Sequence, residues 1–325
     1  MPLIPINKSN NETYAVPSNK TAAIGSSAMD LKKNLNNEVT FEISDPKYSI
    51  EEMILSDSVK DEIDTIIKAQ ESWKKVFIDW DLQSVLKQRK NIFVNLYGES
   101  GTGKTMAAHA IAKTLGKKII CVNYADIESK YVGETSKNIT SLFKIASEKN
   151  VILFFDEADA LLSKRVTNMS NSTDVSVNQT RSVLLTLLND YEGMVIFATN
   201  FISNYDSAFM RRIQYHVKFE LPDTTLRKSL WKRYIPDKMP NNVDKDYIAK
   251  KYSGISGSDI SNAVLKAALK AAKNKDDIVD QKYFENAIIE ILKSKEANIN
   301  TKVTINKIDE SEVPTDIKEH IKQVK

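Results

Sequence analysis

The chain has 325 residues, room for two domains, or for one core with a lid and tails, at roughly 100–200 residues per domain. Its 46 Lys and Arg against 43 Asp and Glu leave a net charge of +3, too small by itself to point to nucleic acid or an anionic membrane. A lone cysteine (Cys121) and three scattered histidines (His109, His216, His320) exclude an internal disulfide and argue against a Cys- or His-based metal centre. The longest apolar runs, such as Val151–Phe155, fall far short of the ~18 residues of a membrane span, and the first ten residues lack an export layout. A reducing cytoplasm is therefore the expected compartment.

Residues 1–48 are rich in Asn, Ser, Thr and Lys, with Pro2, Pro5 and Pro17, and read as a flexible polar arm. Within the arm, Val39–Ile43 could pair as a strand. From Ser49 the pattern becomes globular. Val59, Ile63, Ile66, Ile67 and Trp73 recur at helical spacing over Ser58–Val76. Strands are predicted at Asn91–Tyr97, Lys118–Val122, Val151–Phe155, Met194–Ala198 and Val217–Leu221, with helices between them at Thr105–Leu115, Thr135–Glu148 and Thr180–Tyr191. This alternation implies a parallel α/β sheet covered by helices on both faces, over residues 49–222. From Asp223 the pattern is helical (Thr225–Tyr234, Lys245–Lys251, Ser258–Ala272, Gln281–Leu292), a small all-helical lid over residues 223–293, followed by a polar tail, 294–325.

The strand Asn91–Tyr97 runs into Gly98-Glu99-Ser100-Gly101-Thr102-Gly103-Lys104-Thr105, and a helix follows through Met106. This is G-x-x-x-x-G-K-[ST] in a strand–loop–helix setting. Glycines let the backbone curl so that successive N–H groups converge on phosphate oxygens, and the helix start adds its positive end. Lys104 is suited to the β- and γ-phosphates of ATP and Thr105 to Mg²⁺. The strand Val151–Phe155 ends in Asp156-Glu157. A buried parallel strand presents its ligands at its carboxyl end, so Asp156 is the expected Mg²⁺ carboxylate and Glu157 the general base on an attacking water. A third strand ends at Asn200, whose amide could orient that water.

On these residues the chain resembles AAA+ ATPases. More narrowly, it is similar to the AAA clade of protein-remodelling machines: the katanin and spastin severing enzymes, the ESCRT-disassembly ATPase, FtsH and bacterial relatives. The similarity spans about Ile50 to Leu292. It implies a P-loop NTPase fold with Gly98–Thr105 as Walker A, Asp156-Glu157 closing Walker B and Asn200 as sensor 1. Three further segments sharpen it. Lys130-Tyr131-Val132 is similar to the first pore loop, whose aromatic residue grips a polypeptide. Arg211 and Arg212 are similar to the arginines that reach a neighbouring subunit's nucleotide; some relatives carry another arginine where this chain has Tyr215. Gly257-Ser258 matches the lid motif beside the nucleotide, at a helix start capped by serine. The polar stretch Arg165–Gln179 falls where the family has a second pore loop, and no residue in it is assigned. The resemblance implies an ATPase working as a homo-oligomeric ring, a hexamer, that moves or disassembles a protein substrate through its pore. An ATPase acting on nucleic acid and a nucleotide-dependent scaffold or assembly factor without threading are the alternatives. No second catalytic domain is read, and Cys121 and His109 receive ordinary readings: Cys121 in the core, His109 facing solvent or the lid.

Overall fold

A computed structural model describes residues 12–15, 40–86, 90–123, 134–164, 172–200 and 205–299. Seven strands are present among them: β1 (Glu12–Ala15), β2 (Thr40–Ile43), β3 (Asn91–Gly98), β4 (Ile119–Asn123), β5 (Ile152–Asp156), β6 (Gly193–Thr199) and β7 (Tyr215–Phe219). The last five form one parallel sheet in the order β4-β5-β6-β3-β7, and β1 pairs with β2 antiparallel. The parallel α/β class expected from the alternation of strands and helices is the one observed.

Period-two alternation explains how five strands bury both faces. Phe93, Val122, Leu153, Phe155, Val195 and Phe197 point to one side. There they meet Ile139, Leu142 and Phe143 of helix α4 (Glu134–Lys149), and Leu184 and Leu188 of α6 (Ser172–Asp190). Val94, Leu96, Phe154, Ile196 and Val217 point to the other side. That side is covered by Val59, Ile63, Ile66 and Ile67 of α1 (Asp57–Lys74), and by the Ala-rich face of α3 (Lys104–Thr114). Small alanines let α3 lie close to the strands, which brings its N-terminus to the sheet's carboxyl edge. Between α1 and β3 lie a π-helical turn, Lys75–Asp79, and the short α2 (Leu82–Leu86). The short α5 (Asp159–Leu162) follows β5, and the short α7 (Ser207–Met210) precedes β7.

Several boundaries differ from the sequence expectations. Helix α6 begins at Ser172, within the polar stretch 165–179, where Ser, Thr and Asp supply the residue types that favour helix starts. Packing begins before Ser49: Phe41 and Ile43 of β2 are buried with the first core, and Ser44 exchanges two backbone hydrogen bonds of 3.0 Å with Ile119. Cys121 is exposed rather than in the core, because β4 lies at the edge of the parallel sheet. His109 is buried rather than facing solvent, because its turn of α3 faces the sheet.

The chain divides into two compact units. One comprises residues 1–236 with 245–261, and the other residues 237–244 with 262–325. The first unit includes α8 (Thr224–Tyr234) and α9 (Lys245–Lys251). They are tied together by Arg227, which is buried and donates to Ala249 O (2.9 Å), Pro222 O (2.6 Å) and Thr224 Oγ1 (3.0 Å). The second unit is helical, built on most of α10 (Gly257–Asn274) and on α11 (Gln281–Ile299) around Ala267, Ala271, Phe284 and Ile288. Its two segments are joined by Val279 N–H donating to Pro240 O (2.8 Å) and Gln281 N–H to Asn242 Oδ1 (2.8 Å). Among the described residues no helix is long and apolar enough to cross a membrane.

Candidate active site

The first unit holds a cleft of about 460 Å³ at the carboxyl ends of its strands. It is lined by Ser100–Met106, Asp156, Glu157 and Asn200, together with Tyr48, Met53, Ile54, Leu55, Leu230, Arg233 and Tyr234. Gly257 and Ser258 also line it.

The loop after β3 requires its glycines. Gly98 has φ +137°, and a Cβ there would lie 2.0 Å from Phe219 O, the neighbouring strand's backbone. Gly101 has φ +75° and faces Ser256 Oγ at 2.6 Å from where its Cβ would be. Ser258 N–H donates to Gly101 O (3.2 Å), so the start of α10 is stitched to the phosphate loop. The expected serine cap of α10 is Ser256. Ser256 N–H and Oγ–H both donate to Asp259 Oδ2 (2.7 and 2.8 Å), and Asp259 N–H donates back to Ser256 Oγ (3.3 Å).

Lys104 is nearly buried. Its ammonium donates to Gly98 O (2.7 Å), Glu99 O (2.9 Å) and Asn200 Oδ1 (3.0 Å). Burial pulls its pKa below the ordinary lysine value, opposed by the carboxylates of Asp156, Asp159 and Glu99. Thr105 Oγ1–H donates to Asp156 Oδ2 (2.9 Å). These two hard oxygen donors, side by side at a strand tip, fit Mg²⁺, which takes few protein ligands and shares the rest with phosphate and water. Glu157 is exposed and sits at φ +50°, a conformation costly for a side chain bearing a Cβ. Its N–H donates to Asp156 Oδ1 (3.0 Å), which holds the turn between them. Asn200 is fixed from behind by its own N–H, which donates to Asp159 Oδ2 (3.3 Å). Thr199, one residue earlier, hydrogen-bonds Asn95 in the sheet and accepts from the Tyr205 hydroxyl.

Gly98–Met106, Asp156, Glu157, Asn200, Gly257 and Ser258 thus come together around one cleft. Arg211 and Arg212 do not line it, and they differ from each other. Arg212 Nε–H donates to Asn189 Oδ1 (2.7 Å) and its Nη1 to Ala208 O (2.7 Å). Arg211 is exposed, and its guanidinium has no hydrogen-bond or ion-pair partner among the described residues. Lys130, Tyr131 and Val132 lie outside the described residues. Sequence reasoning missed Asp159, Tyr48, Met53–Leu55 and Arg233–Tyr234 as neighbours of the site. Only Asp159 left a local signal, three residues after Asp156 on the turn into α5.

A glycine loop between a central parallel strand and a helix, with a lysine and a hydroxyl at its end and an acid pair on a nearby strand, defines a nucleotide-triphosphate site of the P-loop class. Residues 94–221 match the family described as "ATPase family associated with various cellular activities (AAA)". It is similar to cell division protein C of Sulfolobus acidocaldarius (34% identity over 64% of this chain and 59% of that one). It is also similar to the ATP-dependent zinc metalloprotease FtsH of Lachnoclostridium phytofermentans (33%, over 64% and 37%). A third relative is the proteasome-activating nucleotidase of Methanopyrus kandleri (33%, over 62% and 48%). The matches thus span between about a third and three-fifths of these relatives' own lengths.

Proposed function

We propose that this chain hydrolyses ATP as a subunit of a homo-oligomeric ring, a hexamer, and uses the cycle to move or disassemble a protein substrate through a central pore. The observation that carries the reading is the meeting of Lys104, Thr105, Asp156, Glu157 and Asn200 at three strand ends. The backbone of Gly98–Gly103 and the Lys104 ammonium hold the β- and γ-phosphates. Thr105 and Asp156 hold Mg²⁺, which when bound neutralises charge on the phosphates. Glu157 takes a proton from the attacking water, and Asn200, braced by Asp159, orients that water. The apolar end of the cleft, with Gly257 and Ser258 beside it, receives the base and ribose.

The cleft has no arginine at its phosphate end among the described residues that line it. The charge that develops in phosphoryl transfer is met by a cation from the neighbouring subunit. Arg211, exposed and untethered, is suited to reach across; Arg212, tied to Asn189 and Ala208 O, holds the turn that presents it. Tyr131, flanked by Lys130 and Val132, grips the polypeptide in the pore. The lone cysteine agrees with work in a reducing cytoplasm.

The test is to purify wild type, Arg211→Ala and Arg212→Ala and measure ATP turnover and assembly mass with ATP. Arg211→Ala lowers turnover about 10³-fold while ATP still binds, and Arg212→Ala has the smaller effect. Turnover by a lone protomer, undiminished in both variants, overturns the ring. Tyr131→Ala keeps ATP turnover and loses substrate processing; equal processing removes the threading step.

A further inference from the structure

His109 has no part in the chemistry above, yet its side chain is 4% exposed and surrounded on every side. It stands one turn inside α3, the helix that follows the phosphate loop. Lys47 N–H donates to its Nδ1 (3.4 Å), and its Nε2 lies 3.6 Å from Cys121 Sγ. The Tyr48 ring meets it edge-on, with centroids 5.8 Å apart at 83°, and Phe154 of the sheet packs against it at 6.4 Å and 62°. Because Nδ1 accepts, the neutral ring carries its proton on Nε2, facing the sulfur. Burial holds the imidazole below its ordinary pKa, with Lys47 acting the same way and Asp156 opposing.

This contact sits at a junction. Upstream, Ser44 is pinned to the edge strand by its two backbone hydrogen bonds with Ile119. Downstream, Ser49 N–H donates to Glu52 Oε2 (2.8 Å), closing the turn that leads to Met53 and Ile54 in the cleft. Between these anchors the chain is seated on His109, and the residue so placed, Tyr48, lines the cleft beside Met53 and Ile54 in the chain's path. We propose that His109 is a positioning residue for nucleotide affinity: it seats the Lys47–Tyr48 segment on the phosphate-loop helix, so that Tyr48 walls the base end of the cleft. The proposal rests on the nucleotide reading above and adds a determinant of how tightly the base is held.

The experiment measures binding of Mg·ATP and of Mg·tripolyphosphate, which has phosphates and no base, together with steady-state turnover. Variants are His109→Leu, His109→Asn (which keeps an acceptor at the Nδ1 position), Tyr48→Ala and the Leu/Ala double. His109→Leu and Tyr48→Ala each weaken ATP binding about tenfold, the size of one lost aromatic contact, and raise KM with little change in kcat. Tripolyphosphate binds all variants alike, His109→Asn recovers ATP affinity, and the double variant is no worse than either single. Parallel loss of ATP and tripolyphosphate, additive losses in the double, or wild-type ATP affinity in His109→Leu overturns the proposal. Should His109→Leu fail to fold, wild-type ATP affinity in Tyr48→Ala does the same. A wild-type chain that binds no ATP at all refutes the nucleotide reading instead.

Discussion

At the phosphate end of the cleft, Gly98 and Asp156 close strands β3 and β5, and Asn200 follows directly on β6; these three strands are consecutive in one parallel sheet. At the end proposed for the base, Tyr48 and Ile54 come from a loop and Leu230 and Tyr234 from the last turns of α8, none of them from a strand of the sheet. A strand tip moves only if its ladder breaks, so groups that must meet a reacting atom within a fraction of an ångström sit there. A loop wall can adjust to a flat apolar ring, where contact area counts more than angle. The proposed function thus assigns chemistry and affinity to different kinds of scaffold within one cleft.

Four changes probe that contrast. Glu157→Gln keeps ATP binding and lowers turnover by about 10²–10⁴-fold, measured as phosphate release beside an ATP-retention assay; unchanged release removes Glu157 as the base. Gly98→Ala forces a Cβ onto Phe219 O and costs about 3 kcal/mol of stability, read by denaturant titration, with ATP binding lost alongside. Ile54→Ala acts on the base end alone: KM for ATP rises about five- to tenfold at nearly constant kcat. A fall in kcat of the same size would erase the division between the two ends. The smallest effect belongs to Ser256→Ala, which removes the reciprocal cap beside Gly101 and costs about 1 kcal/mol, a drop of about 2–4 °C in Tm.

The phosphate end was legible before any coordinates because its geometry is local. Gly98 to Thr105 is one turn of backbone whose glycines and terminal lysine have meaning at fixed spacing, and Val151–Phe155 announces a buried strand with its acids at the exit. The base end was not legible, since Tyr48, Leu230 and Tyr234 are ordinary residues in ordinary patterns, and only the fold makes them neighbours. A serine cap was legible at the start of α10, but Ser256 and Ser258 are equivalent by residue type; the partner carboxylate of Asp259 chooses Ser256.

Residue pattern alone determined the parallel α/β class, the helical region after Asp223, and the glycine loop and acid pair that meet at the cleft. Each follows from periodicity or from a motif closed within a few residues, where backbone sterics and hydrogen bonding leave little choice. Tertiary structure decided what depends on long-range approach. It set the bracing of Asn200 by Asp159, the tethering of Arg212 but not Arg211, the exposure of Cys121 and the burial of His109 beneath Tyr48. Those outcomes turn on which surfaces the sheet order covers, and a side chain's type does not record how much of it the rest of the chain will enclose.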